Sequence, residues 1–270
     1  MKNLVYIICC LFLVSCEDVI DLKLKTAEPR LVIDASLIWY KNTSGNSQII
    51  KLTQTAPYYS DSVPAATGAT VTVTDTNNTT FNFIEETGTG IYKNQAFRPE
   101  INAVYTLKII YKSEVYTASE TLKSVVPIDK VEQKKDAGFS GNETEIKAFY
   151  TDPKDIKNFY FFEFINANLN AVTLDVYDDE FTDGNQIFAF HSNEELKTGS
   201  KLIIHSHGVS QRYYEYMNIL LQQSKDESGG PFETQPTTLR GNCINETNPS
   251  NFPLGYFRAS EVAVYSYEVQ

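Results

Sequence analysis

The chain has 270 residues, with 23 basic and 34 acidic side chains and a formal net charge of −11. That sign argues against nucleic acid as a partner, because phosphate binding needs clustered Lys and Arg that release counterions. The length suits one large all-β domain or two ordinary ones, and 17 Tyr and 16 Phe against a single Trp favour strands.

The first element is an apolar run from Leu4 to Val14, preceded by Lys2. A helix that crosses a bilayer needs about 20 apolar residues. This run is shorter and has the grammar of a secretory signal: basic start, apolar centre, small residue before a cut. Residues 1–15 are therefore expected to be a signal peptide, which would take Cys9 and Cys10 with it. The tetrapeptide Leu13-Val14-Ser15-Cys16 resembles the lipobox of bacterial lipoproteins. The resemblance implies a diacylglycerol on the Cys16 thiol and an N-acyl chain on its new amino group, with no other cofactor. Two or more acyl chains hold a protein to a membrane where one does not, at about 0.8 kcal/mol per buried methylene. Glu17 and Asp18 follow at once and resemble the signal that carries lipoproteins of Bacteroidota to the outer face of the outer membrane. Residues 16–27 then read as an acidic tether.

From Glu28 the pattern is strand after strand. "PRLVIDASLIWY", "SQIIKLTQT", "ATVTVTD" and "TTFNFIE" alternate with period two, and "VYTLKIIYK" and "VYTASETL" read as a hairpin turning at Ser113-Glu114. Turn signals recur about every 8–12 residues, the rhythm of an antiparallel sandwich of immunoglobulin or fibronectin type. The fold class is thus mainly β, with this sandwich over residues 28–125. Pro127, within "SVVPIDKVEQ", marks a junction. Residues 126–270 are expected to form a second, β-rich domain with strands at "EIKAFYTDP", "NFYFFEFIN", "AVTLDVYD", "QIFAFHS", "SKLIIHSHG", "LGYFRAS" and "EVAVYSYEV". Its one amphipathic helix falls at about 210–225, capped by Ser210, with Tyr213, Tyr214, Met217, Leu220 and Leu221 on one face.

Chemistry-bearing residues are few. In the acidic loop "DVYDDEFTDGN", Asp178, Asp179, Asp183 and Asn185 offer oxygens of the kind calcium prefers, although the spacing is not that of an EF-hand and a hairpin turn uses the same residues. His205 and His207 share one face of a strand. Zinc would need His191 or a carboxylate as a third ligand, and no spacing supplies one, so the pair reads as polar positions on a solvated sheet face. Cys243 lies in a polar loop with no histidine nearby in sequence and reads as an unreactive small residue. The aromatic run "NFYFFEFIN" reads as core before ligand groove. Asp61-Ser62-Val63 resembles the O-glycosylation site of exported Bacteroidota proteins. No hydrolase elbow, metalloprotease helix, phosphate loop or dinucleotide fingerprint is present, so no catalytic residue is expected and the chain reads as a non-enzyme.

The order of parts resembles a Bacteroidota lipoprotein family, domain of unknown function 4249. The lipobox with its acidic follow-on, "EPRLVIDASLIW", "YTLKIIYKSEVYTASETL", and the block "YYEYMNILLQQ", "GGPFETQPTTLRGN", "LGYFRAS" carry the resemblance. It implies an outer-membrane lipoprotein facing the cell exterior that partners a TonB-dependent barrel in nutrient uptake, with no established activity. A free-standing glycan- or peptide-binding lipoprotein, or a structural subunit of an outer-membrane complex, are the alternatives.

Overall fold

The computed structural model describes residues 28–57, 59–138, 141–224 and 239–270. The expected signal peptide and tether, and with them Cys16, Glu17 and Asp18, lie outside the described residues.

Seven strands make the first half: β1 (Leu31–Tyr40), β2 (Gln48–Gln54), β3 (Thr70–Thr74), β4 (Thr80–Glu86), β5 (Ile91–Asn94), β6 (Val104–Tyr111) and β7 (Glu114–Thr121). β6 shows the cause of the fold most clearly. Val104, Thr106, Lys108 and Ile110 face out, while Tyr105, Leu107, Ile109 and Tyr111 are buried. Each fully buried apolar side chain contributes roughly 1.5–3 kcal/mol. The same alternation in β1 and β2 sends Ile33, Leu37, Ile50 and Leu52 into one core with the residues of β6. β4 changes partner along its length, pairing with β3 up to Phe83 and with β5 from Ile84. That switch folds the ladder over its own core and makes a sandwich. The β6–β7 turn is Lys112-Ser113, one residue earlier than the sequence suggests. Both residues have positive φ, 48° and 64°, as a two-residue hairpin turn requires.

The second half adds β8 (Lys130–Ala137), β9 (Glu143–Thr151), β10 (Phe159–Asn166), β11 (Ala171–Asp178), β12 (Gln186–Asn193), β13 (Lys201–Gly208), helix α1 (Gln211–Ser224), β14 (Ile244–Asn245) and β15 (Leu254–Glu268). The ladder β11-β10-β13-β15 faces the three-stranded sheet β12-β9-β8 across a core of Ile146, Tyr150, Tyr160, Phe162, Phe164 and Leu202. This is a second sandwich. β10 is rich in aromatics because both its faces are covered. Tyr160, Phe162 and Phe164 enter the sandwich core, while Phe161 lies under α1. β8 falls where the sequence suggests only a junction. It is polar because it is an edge strand, and Lys130, Lys134 and Lys135 on it discourage pairing with another chain.

β15 joins the two sandwiches. The segments "LGYFRAS" and "EVAVYSYEV", separate in the sequence reading, form one strand. Leu254 to Val262 pair in parallel with β1, and Val262 to Glu268 pair antiparallel with β13. The short β14 pairs with β7, and Cys243, Phe257 and Ala259 belong to the first core. The division at residues 125 and 126 therefore falls near the boundary of the two cores, with Val125 already in the second, and residues 242–262 return to the first sandwich. The reason is the length of β15: it is long enough to complete one sheet and continue into the next.

Ser210 caps α1 by accepting from the Tyr213 amide at 3.2 Å. Tyr213 and Met217 are its buried residues. Leu220 is exposed, and Tyr216 packs instead, 4.8 Å from the Tyr256 ring. Glu120, at the end of β7, ties this region together. It accepts from the Thr121 amide at 2.8 Å, from Ser210 Oγ at 2.9 Å and from the Tyr256 hydroxyl at 3.3 Å. Burial raises its carboxyl above the usual range, although those donors pull the other way. The folded chain thus keeps this proton to a higher pH than the unfolded chain does. The resulting contribution to stability is complete below the unfolded value of about 4.3 and is lost as pH rises through the folded value. Glu120→Gln is therefore expected to gain stability relative to the parent between about pH 4 and neutrality. Urea midpoints across that range check this, and a constant difference would contradict it.

Candidate functional site

One face of the sheet runs unbroken across β10, β13, β15 and β1. Its register sets Glu163 opposite His205 and Phe161 opposite His207. His207 in turn pairs with Val262, and Ser36, Ile38 and Tyr40 pair with Arg258, Ser260 and Val262. Residues directly opposite one another in a ladder share a face. Polar side chains from both sandwiches therefore meet at their seam, partly beneath α1.

Glu163 Oε2 lies 3.0 Å from His205 Nδ1 and 3.3 Å from His207 Nε2. The second contact is out of line for a hydrogen bond, so both His207 nitrogens are buried without a hydrogen-bond partner. His207 is only 1 % exposed, against 15 % and 23 % for the side chains of His205 and Glu163. Phe161 packs on His207 with centroids 5.1 Å apart and ring planes tilted by 52°, and Tyr40 meets His205 edge-on at 5.7 Å. The Arg258 guanidinium lies 5.1 Å from the Phe161 ring and 5.3 Å from the Tyr213 ring, while its Nε donates to Ser36 Oγ at 3.0 Å. Arg258 Nη1 and Ser260 Oγ, on the same face, are also buried without partners. A groove of about 510 Å³ along β1 opens beside this cluster, and Ser36 and Tyr40 belong to both.

Burial pushes the His207 imidazolium down to about 4, helped by Arg258 and opposed by Glu163. The ring is therefore neutral near pH 7, with a lone pair free. Burial alone would raise the Glu163 carboxyl, but His205, His207 and Arg258 outweigh it and hold the group well below the usual carboxylate range. A carboxylate and two imidazoles converge here, a donor set that can bind a borderline metal or relay a proton.

The solvated face expected for the histidine pair is thus overturned: helix α1 and the Phe161 ring cover it. His191 takes no part. It is buried in the second core, stacked on Phe164 at 5.0 Å. Glu163 was missed because strand register is not written in the sequence. The available signal was one carboxylate inside a run of aromatics, since a buried charge demands a partner.

Of the calcium candidates, Asp179 and Asp183 come together with Asp152, which lies far away in sequence. Asp178 turns to α1 and accepts from the Tyr214 hydroxyl at 2.7 Å, and the Asn185 side-chain Nδ2 donates to the Asp183 backbone carbonyl at 3.2 Å. The three converging carboxylates already have donors. Asp152 takes the Tyr160 hydroxyl and the Gly184 amide, Asp179 the Asn158 amide and Asp183 the Asp155 amide. Cys243 is buried, and burial pushes its thiol up to about 12, so it stays protonated at neutral pH. Asp61, Ser62 and Val63 are exposed.

A family model described as a domain of unknown function, DUF4249, matches residues 17–266. The chain belongs to DUF4249. No curated protein matches this DUF4249 chain. Among solved structures, a two-domain fibronectin type-III segment of chicken tenascin is similar at 10 % identity and a TM-score of 0.22, covering 59 % of this chain and 83 % of that one. The chicken interferon gamma receptor alpha chain is similar at 13 % identity and a TM-score of 0.21, covering 68 % and 90 %. The sandwich assignment rests on the sheets described above. No helix among the described residues is long and apolar enough to cross a membrane.

Proposed function

We propose that this DUF4249 chain is a lipid-anchored outer-membrane protein, exposed on the cell surface, that serves without catalysis of its own as an accessory to a TonB-dependent transporter in nutrient uptake. The observation that carries this reading is the order of parts. A lipobox cysteine at Cys16 is followed by an acidic stretch and then, from Leu31, by two sandwiches sharing one strand. Residues 17–30 can reach at most about 50 Å when fully extended. An anchored body on such a lead can stand beside a barrel and present loops to it.

Purification of the tagged chain from its native outer membrane in mild detergent, with mass spectrometry of what accompanies it, tests the proposal. A barrel transporter is expected in stoichiometric amount, and a lone lipoprotein would contradict it. The second reading, a free-standing glycan or peptide binder, is favoured by one observation. Phe188 and Phe190 are each 40 % exposed on β12, with Phe149 5.3 Å from Phe188 and the Lys147 ammonium 4.8 Å from the Phe188 ring. Exposed rings of this kind stack on sugars and peptides.

A further inference from the structure

We propose that Glu163, His205 and His207 form a binding site for a divalent transition-metal ion of the zinc class, with one coordination position left open. The inference is independent of the transporter reading and stands on the cluster alone.

The ligand atoms are nearly in place. Zinc bonds of about 2.0–2.2 Å in a tetrahedron hold ligand atoms about 3.3 Å apart. Two edges of that figure exist already, at 3.0 and 3.3 Å from Glu163 Oε2, and all three ligand atoms lie within 4.8 Å of one another. The ligands stand on paired strands inside the sheet, which hold geometry better than loops do. Imidazole with carboxylate suits zinc and its first-row neighbours, whereas calcium and magnesium prefer oxygen alone.

The second observation is His207 itself. It is almost fully buried and aimed at Glu163, yet neither nitrogen is bonded. A buried polar group without a partner is costly. A metal on Nε2 supplies that partner. His205 coordinates through Nδ1, with its proton on Nε2.

Arg258 bears on the fourth position. A guanidinium beside a bare cation is unfavourable, but Arg258 Nη1 is a buried donor lacking an acceptor. An oxygen ligand on the metal, water or a small anion, answers both. Solvent reaches the cluster through the exposed parts of Glu163 and His205 and through the adjoining groove.

The test titrates zinc chloride, and separately cobalt(II) chloride, into the purified full chain in detergent after chelator treatment. One site per chain is expected by calorimetry. Cobalt is expected to give the intense visible bands of a low-coordinate nitrogen and oxygen site without thiolate charge-transfer bands. Glu163→Gln and His205→Gln are each expected to weaken binding by at least about tenfold while circular dichroism stays unchanged. Absence of zinc heat and cobalt bands in the parent chain would overturn the proposal. So would thiolate bands, which would place the ion on Cys243, the thiol left free once the signal peptide is removed and Cys16 is lipidated, or unchanged affinity in both variants. The parent's cobalt spectrum decides the question even if a variant fails to fold.

Discussion

Replacing Gly255 with valine is expected to lower the melting temperature by about 10 °C. Gly255 sits at the start of β15 with φ +88°, a conformation that side-chain-bearing residues rarely adopt. A Cβ there would stand 2.1 Å from the Ile33 carbonyl oxygen, a backbone atom held by the β1–β15 register. Backbone strain and the forced parting of two paired strands together cost about 3 kcal/mol. In a chain of this size each kcal/mol moves the midpoint by roughly 2–4 °C. Gly88 is the control. Its φ is +77°, but nothing lies within 4 Å of an added Cβ, so Gly88→Val should lose only the strain, about 1 kcal/mol. Differential scanning calorimetry of the two variants checks the contrast. Equal shifts would mean that β15 does not approach β1 as closely as the register requires.

Truncating Phe162 to alanine is expected to cost about 3–5 kcal/mol. The side chain is fully buried in the second core. Its ring lies 5.4 Å from Tyr150, 5.6 Å from Tyr177 and 6.1 Å from Phe164. Those rings cannot all close on the space left behind, so the transfer and cavity contributions add. Urea unfolding should show a lower midpoint with little change in slope. A loss under about 1 kcal/mol would show that the second core collapses around the gap.

Much of the fold was legible because burial follows local rules. Strict alternation in "VYTLKII" and "ATVTVT" reads directly as half-buried strands. The helix was legible from Ser210 and its apolar stripe, and the cap bond forms as expected. What escaped was set by distant partners. β8 is mostly polar, with Val131 and Ala137 its apolar residues, so its pairing with β9 leaves little hydrophobic signature. The parallel union of β1 with a strand more than two hundred residues away could not be read from either strand alone.

The candidate site failed to show for the same reason. His205 and His207 were placed on one face by period two, but their carboxylate is on another strand, brought opposite by a register that sequence spacing does not state. The calcium reading took neighbours in one loop. The structure instead joins Asp179 and Asp183 to Asp152, across the bases of different strands.

The cluster at the seam depends on β15 making one body of two sandwiches. The only tryptophan, Trp39, lies on β1 and packs against the first core, so its fluorescence reports the first sandwich, while Phe162 belongs to the second. The most direct measurement follows the urea unfolding of Phe162→Ala by Trp39 fluorescence and by far-ultraviolet circular dichroism together. If β15 couples the sandwiches, both signals shift to the same lower midpoint. A Trp39 transition that stays at the parent midpoint, with a separate earlier loss of circular dichroism, would contradict the account.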